Sequence, residues 1–587
     1  MLPKRSVSPE PTIRYNLPAN HFLALQPSYS QTSIEFPTGE LPSTSSHESN
    51  GQAPNTASLA SADFEVDVRT GFLPGSKNVI RLLGKYEVWE EALDAAKGGR
   101  YIHNQPGQGL IVNGKREKEF LWRNAIDSMP VIDTADLLVS LPHLRRAHVV
   151  LTFLAHFYVH TTPTSPSSST SSPKEPIPIP ACISVPLLTV SPLLGLPPVL
   201  TYADTVLWNF LPVNPSIAPS ATLNPPNEIL TTFTGTKSEE QFFLISALCE
   251  IAGAEALRLM RQSLDELFLA DEKALRRLTI YLKKLSNQID KISDVTMTLM
   301  KQVDPEEFYH LIRPWFRGGD SDGPTSAGWN YLGLTENDNV EKTSSEAESS
   351  NTLGQKGKKF SGPSAGQSSL IHAIDIFLTV DHSPTVQERL EALNAVENPT
   401  QSKILVDSTP IVPPFSTSDE IQQTKPSQGP PSSHGHSSSS SPKGEATFVQ
   451  RMLQYMPLPH RSFILHLSTH PTPLRPLVLH FAHSHPALAL AYDGALEALR
   501  RFREKHMRVV SLFIIQQARR QPSERVRKLM GLKENPTENE FETEEKQIDI
   551  NEIRGTGGSA LFKFLKRCRD NTTKAMVRPN AAGYELE

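Results

Sequence analysis

A single histidine, His506, falls on the apolar stripe of a long helical pattern. Leu488, Tyr492, Ala495, Leu499, Phe502, His506, Val509 and Phe513 follow one another at steps of four and three. An imidazole facing an apolar interior is either a hydrogen-bonded core group or an axial ligand to haem iron. Arg503 stands one turn earlier on nearly the same side, where a cation can pair with a propionate. The flanking Arg500, Arg501, Lys505 and Arg508 read as a solvated face. Gly362-Pro-Ser-Ala-Gly366 has the form of a nucleophile elbow, but the preceding Gln355-Lys-Gly-Lys-Lys-Phe360 is not the buried strand that motif needs. Gly555-Thr-Gly-Gly-Ser559 precedes a helix and offers backbone amides, yet lacks the lysine of a P-loop. His156 and His160 have the spacing of a ligand pair without an identifiable third ligand. His460, His466, His470, His480, His483 and His485 are spread over several elements and read as ordinary core and surface histidines.

The elements that must position these groups are helices. Leu275, Leu278, Leu282, Leu285, Ile289, Ile292 and Leu299 form one stripe. Asp304 reads as an N-cap, with Pro305, Glu306 and Glu307 in the first turn, and Pro314 limits the helix that follows to about Arg313. Helical spacing also appears at 85–96 and 120–126, with a long apolar helix over 134–159 and another helix over about 367–378. The apolar window 181–200 is broken by Pro186, Pro192, Pro197 and Pro198, so it does not read as a membrane span.

Between the helices lie tracts that cannot form a core. There are 49 prolines in 587 residues, and many sit with Ser and Thr in 1–60, 161–180, 343–359 and 416–444, read as a disordered tail and three insertions. The remainder reads as a small N-terminal domain (61–235) and a large helical domain (236–587). A net charge of −5 gives no footprint for nucleic acid, and three scattered cysteines exclude a disulfide framework. The start has no secretory core, and the expectation is a soluble cytoplasmic protein.

Four segments in order resemble one family: Ser361-Gly-Pro-Ser-Ala-Gly-Gln-Ser-Ser369, Phe448-Val-Gln-Arg-Met-Leu-Gln-Tyr-Met-Pro-Leu-Pro-His-Arg461, Arg501-Phe-Arg-Glu-Lys-His506 and Arg554-Gly-Thr-Gly-Gly-Ser559. Tyr202-Ala-Asp-Thr-Val-Leu207 and Phe242-Phe-Leu-Ile-Ser246 are similar to two further segments of it. This is the pattern of the indoleamine 2,3-dioxygenases, and the long Pro/Ser insertions resemble those of fungal members.

The resemblance implies a mostly α fold holding one haem b. It implies oxidation of L-tryptophan and related indoleamines by O2 to N-formylkynurenine, the first step of the kynurenine route toward NAD. A monomer is expected, without nucleic acid or membrane as partner. His506 would be the proximal iron ligand, and Asp375 would support that side through Arg503. Phe242, Phe243 and Ser246 would form the distal wall. Phe308, Tyr309 and Arg313 would line the substrate pocket with Tyr202, Arg313 facing the carboxylate. Ser364, Ala365 and Gly366 would close over cofactor and substrate, and Thr556 would belong to a C-terminal loop that meets the substrate. No acid–base pair is implied. Three positions depart from the family pattern: Tyr309 for a phenylalanine, Pro363 for a glycine and Thr205 for a cysteine. A rival from another class is a haem-binding sensor or interaction protein of the same fold with little turnover.

Overall fold

The computed structural model describes residues 63–97, 109–114, 116–162, 175–321, 323, 326–333, 357–382, 448–532, 555 and 561–577. The tail 1–60, the tract 416–444 and Thr556 lie outside them. Within the described residues the fold is mostly α, as expected.

Helices α1 (Glu87–Ala96) and α2 (Glu117–Asp127) correspond to the two short apolar patterns. The long pattern beginning at 134 is two elements rather than one. A 3-10 turn over Ala135–Leu137 precedes α3 (Leu141–His160), which holds Pro142 in its first turn, where no amide hydrogen is missed. Helix α4 (Ala181–Leu194) keeps both Pro186 and Pro192 inside it. Burial of Ile183, Leu187, Val190 and Leu194 outweighs the lost amide bonds. No helix among the described residues is long and apolar enough to cross a membrane.

Strands are short: β1 (Ile177–Ile179), β2 (Phe210–Pro212), β3 (Pro226–Ile229) and β4 (Trp329–Tyr331). β1 runs parallel to β4, and β2 pairs antiparallel with β3. β1 corrects the expectation that no element forms within 161–180. Its two isoleucines flank a proline, tolerable in a two-stranded sheet, and the Ile177 amide donates to the Gly328 carbonyl at 3.1 Å. The tract 343–359 also ends in order, because Lys358 and Trp329 exchange backbone hydrogen bonds of 2.8 and 2.9 Å.

Two long helices organise the rest. Thr236 caps α5 (Lys237–Leu269) and Asp271 caps α6 (Glu272–Met297), each accepting a backbone amide three residues on. The leucine and isoleucine stripe of α6 is buried from Leu275 to Ile292. Then follow α7 (Ser369–Phe377), α8 (Leu458–Ser468), α9 (Leu474–Phe481), α10 (Pro486–Val510), α11 (Glu524–Leu529) and α12 (Leu561–Lys574). One core gathers α1, α3, α4 and the Phe243–Ile251 side of α5. A second gathers α6, α7 and α10 with Ala256, Leu257, Leu259 and Met260 of α5. Helix α5 thus serves both.

Candidate functional site

Helix α10 fixes His506. Leu488, Tyr492, Ala495 and Leu499 are fully buried on its inner face. Its charged residues are less free than a solvated face implies, since Arg501 pairs with Asp290 (2.7 Å) and Lys505 with Asp294 (2.9 Å) on α6. His506 is half-buried and its ring lies parallel to that of Phe502, centroids 6.4 Å apart. It makes no hydrogen bond among the described residues. Burial, then the neighbouring Arg503 charge, holds its pKa down at about 4. The imidazole is therefore neutral at ordinary pH, with a nitrogen lone pair to give.

Behind it, Arg503 does not reach outward. Its guanidinium grips both oxygens of Asp375 on α7, at 2.5 and 2.6 Å. It also donates to the Cys568 carbonyl (2.8 Å) and the Thr572 hydroxyl of α12. His382 adds a second cationic partner to Asp375 at 3.0 Å. Burial alone would raise the Asp375 pKa, but Arg503 and His382 bring it down to about 2. Burial alone would lower that of His382, yet Asp375 raises it to about 9.

These shifts make a prediction about pH. The Asp375 contribution to stability is fully present above its ordinary value of 3.8 and is lost as pH falls toward 2. The His382 contribution is fully present below 6.5 and is lost as pH rises through about 9. Urea unfolding midpoints should therefore plateau between roughly pH 4 and 6.5 and fall on either side. Asp375→Asn, which leaves Arg503 buried without its countercharge, should cost about 3–5 kcal/mol and flatten both slopes. An unchanged profile in that variant would mean that the cluster contributes nothing to the pH dependence.

A wall of aromatic rings forms where α5 meets the capped turn after Asp304. The Asp304 carboxylate accepts the amides of Glu306 (2.8 Å) and Glu307 (3.3 Å), as its sequence position suggests. The turn is wider than an α-helix, a π-type turn over Glu307–Ile312, and passes at Arg313–Phe316 into a 3-10 turn containing Pro314. Phe242 lies 4.7 Å from Phe308, and Phe243 5.7 Å from Phe316. Phe308 meets Phe513 edge-on at 5.7 Å. Ser246 sits one turn beyond Phe242 and donates to its carbonyl at 2.9 Å. Arg313 stands over the Tyr309 ring, 5.5 Å from its centre, so the two do share a face. Burial lowers the Arg313 pKa.

The Ser-Ala-Gly-Gln segment is a 3-10 turn, not a nucleophile elbow. Ser364 caps it by accepting the Gly366 amide at 3.2 Å, Ala365 is exposed, and the Gly366 carbonyl accepts from His372 at 2.8 Å. The backbone at Gly362 passes so close to the Phe316 carbonyl that a Cβ would lie 1.9 Å from it. The loop is thereby fastened to the turn carrying Arg313. The Ser361 amide donates to the Tyr455 hydroxyl at 2.8 Å, which brings together two of the four motif segments. Tyr202 is buried; its amide donates to Gln367 (2.8 Å) and its hydroxyl to Glu250 of α5 (3.0 Å).

The structure thus brings Phe242, Phe243 and Phe308 together, Tyr309 with Arg313, Asp375 with Arg503, and Tyr202 with the 361–368 loop. Phe316, Phe513 and Glu250 were not singled out from sequence as site residues. Phe513 had a signal, lying seven residues beyond His506 on the same stripe; Phe316 and Glu250 had none. His156 and His160 are not arranged around a metal. They meet the backbone carbonyls of Trp315 (2.8 Å) and Arg317 (2.9 Å), and no cluster of three metal-ligating side chains occurs among the described residues.

Comparison with known proteins adds independent findings. A family model described as indoleamine 2,3-dioxygenase matches residues 60–575. The chain is similar to indoleamine 2,3-dioxygenase of Saccharomyces cerevisiae, at 28% identity over 77% of this chain and 82% of that protein. It is 28% identical to indoleamine 2,3-dioxygenase acdA of Aspergillus candidus over 87% of this chain and 96% of that one. It is 26% identical to 6-hydroxytryptophan 2,3-dioxygenase fscD of Fusarium equiseti, over 87% and 97% respectively.

Proposed function

The chain belongs to the indoleamine 2,3-dioxygenase family, and from that premise we propose that it binds one haem b through His506 and oxidises L-tryptophan to N-formylkynurenine. The observation that carries this reading is the placement of His506: half-buried near the end of the α10 stripe, free of any hydrogen bond among the described residues, with burial holding its pKa down at about 4. A core histidine normally spends at least one ring nitrogen on a partner, whereas a ligand keeps one for its metal. The Asp375–Arg503 pair would act as a positioning group, holding α7, α10 and α12 in register behind the ligand.

Bound haem supplies the dioxygen chemistry, which places both oxygen atoms of O2 across the indole C2–C3 bond. The protein's own work is to bind, orient and keep dry. Phe242, Phe243 and Phe308, joined by Phe316 and Phe513, form the apolar wall against which an indole ring can lie. Arg313 would take the amino-acid carboxylate with its planar fork, and the Tyr309 ring beneath it fixes the direction of approach. Ser246 and Tyr202 would border the same pocket, with Ser364, Ala365 and Gly366 at its closing edge and Thr556 in the C-terminal loop. In this reading residues 236–587 form the haem-bearing part and 61–235 the smaller N-terminal part. An indole substituted on the ring is a second substrate to try, given the name of the Fusarium relative.

The test is the visible spectrum of the purified ferrous protein with and without L-tryptophan, together with detection of N-formylkynurenine under air. A Soret band that responds to tryptophan, with product formed, supports the reading. Haem bound without product would leave a binding protein rather than an enzyme.

A further inference from the structure

Helix α5 carries a buried carboxyl group that the reaction as described does not use. Glu250 is 2% exposed. One of its oxygens, Oε1, accepts two hydroxyls at once: Tyr202 Oη at 3.0 Å and Ser368 Oγ at 2.6 Å. The other oxygen, Oε2, is buried with no hydrogen-bond partner among the described residues. Ser368 is the last residue before α7 and directly follows the Ser-Ala-Gly-Gln turn. Gln367 ties that turn to the same wall, accepting the Tyr202 amide at 2.8 Å and donating to the Gly362 carbonyl at 2.9 Å. On α5, Ser246 lies four residues before Glu250 and so on the same side of the helix. One turn after Glu250, Gly253 packs so closely on Leu370 of α7 that a Cβ would lie 2.3 Å from that side chain.

We propose that Glu250 is a positioning residue: its single accepting oxygen latches Ser368 to Tyr202 and so holds the 361–368 loop closed against the substrate wall. The proposal rests on the reading that Tyr202 and this loop border the substrate. Below about pH 7 the latch is a neutral acid. A buried carboxylate with one oxygen unpartnered would draw water into the junction, whereas the protonated group tolerates the site. In keeping with that, burial pushes the Glu250 pKa up to about 7, although the Ser368 and Tyr202 hydroxyls pull it down. The other ionisable groups that face it are Tyr202 of the neighbouring wall and Cys249 beside it on α5, both raised and neutral through this range. On α7, His372 is engaged with the Gly366 carbonyl, and Asp375 with Arg503 and His382. The sign follows: a carboxyl whose value is raised in the closed state favours closure at low pH, and that contribution is lost as pH rises from about 4.5 through about 7.

Hydrogen–deuterium exchange and steady-state kinetics test this on the full-length protein. Ser368→Ala and Glu250→Ala should speed amide exchange over 361–368 and raise the KM for tryptophan by about tenfold, with a smaller change in kcat and unchanged haem content. Glu250→Gln should keep the latch, and its KM should stay flat between pH 6 and 8 where that of the wild type rises. If exchange over 361–368 is the same in the wild type and both alanine variants, or if Glu250→Gln and wild type share one pH profile, the proposal is overturned. Faster exchange in the alanine variants of a protein that turns over no tryptophan would sustain the latch and overturn the proposed reaction instead.

Discussion

His506→Ala is expected to give a folded protein with no Soret band and less than about 1% of wild-type turnover, because haem iron would lose its protein ligand. The effect on the polypeptide itself should be modest. His506 has no hydrogen-bonded partner to strand among the described residues, and what is lost is the contact with the Phe502 ring. The far-ultraviolet circular dichroism should match the wild type, since α10 is held by Tyr492, Leu499, the Arg501–Asp290 pair and the Arg503–Asp375 pair. Added imidazole should restore part of the haem absorbance by occupying the space of the missing ring. A variant that keeps full haem with unchanged ligation would exclude His506 as the ligand, and one that unfolds would point to a core histidine instead.

Arg313→Ala should lower kcat/KM for tryptophan by roughly 30- to 1000-fold, equivalent to about 2–4 kcal/mol, while haem content stays at the wild-type level. The guanidinium is held over the Tyr309 ring at the point where the capped turn narrows into the Arg313–Phe316 turn. A carboxylate arriving there would meet a fork already oriented and partly desolvated. Arg313→Lys should recover little, because an ammonium group can offer neither the planar pair of donors nor the same stacking on the ring. Turnover and haem content measured on one sample separate the two roles open to this residue. Near-normal kcat/KM would mean that the carboxylate is held elsewhere. Parallel loss of haem and activity would make Arg313 a structural cation.

Much of this site can be read along the chain because its signals are local. The stripe that puts His506 on the inner face of α10 needs only residues three and four apart. Asp304 announces the turn bearing Phe308 and Arg313 because a cap acts on amides two and three residues ahead. The four ordered motifs place the 361–369 loop, helix α10 and the C-terminal segment in one family from their residues alone.

What only tertiary structure decided is which distant groups meet. Spacing left Arg503 free to face a propionate; in the fold it faces Asp375, 128 positions away, and lies under α12. Glu250 resembles any other helical glutamate in the sequence, and becomes notable only because Ser368, 118 positions on, and Tyr202 both donate to it. Phe316 joins the aromatic wall for the same reason, and Ile177–Ile179 becomes a strand only because Trp329–Tyr331 is beside it. Periodicity and capping act over a turn or two of backbone. Pairing of buried charges and rings instead follows from how whole helices pack, and a buried polar group takes whichever partner that packing brings within about 3 Å.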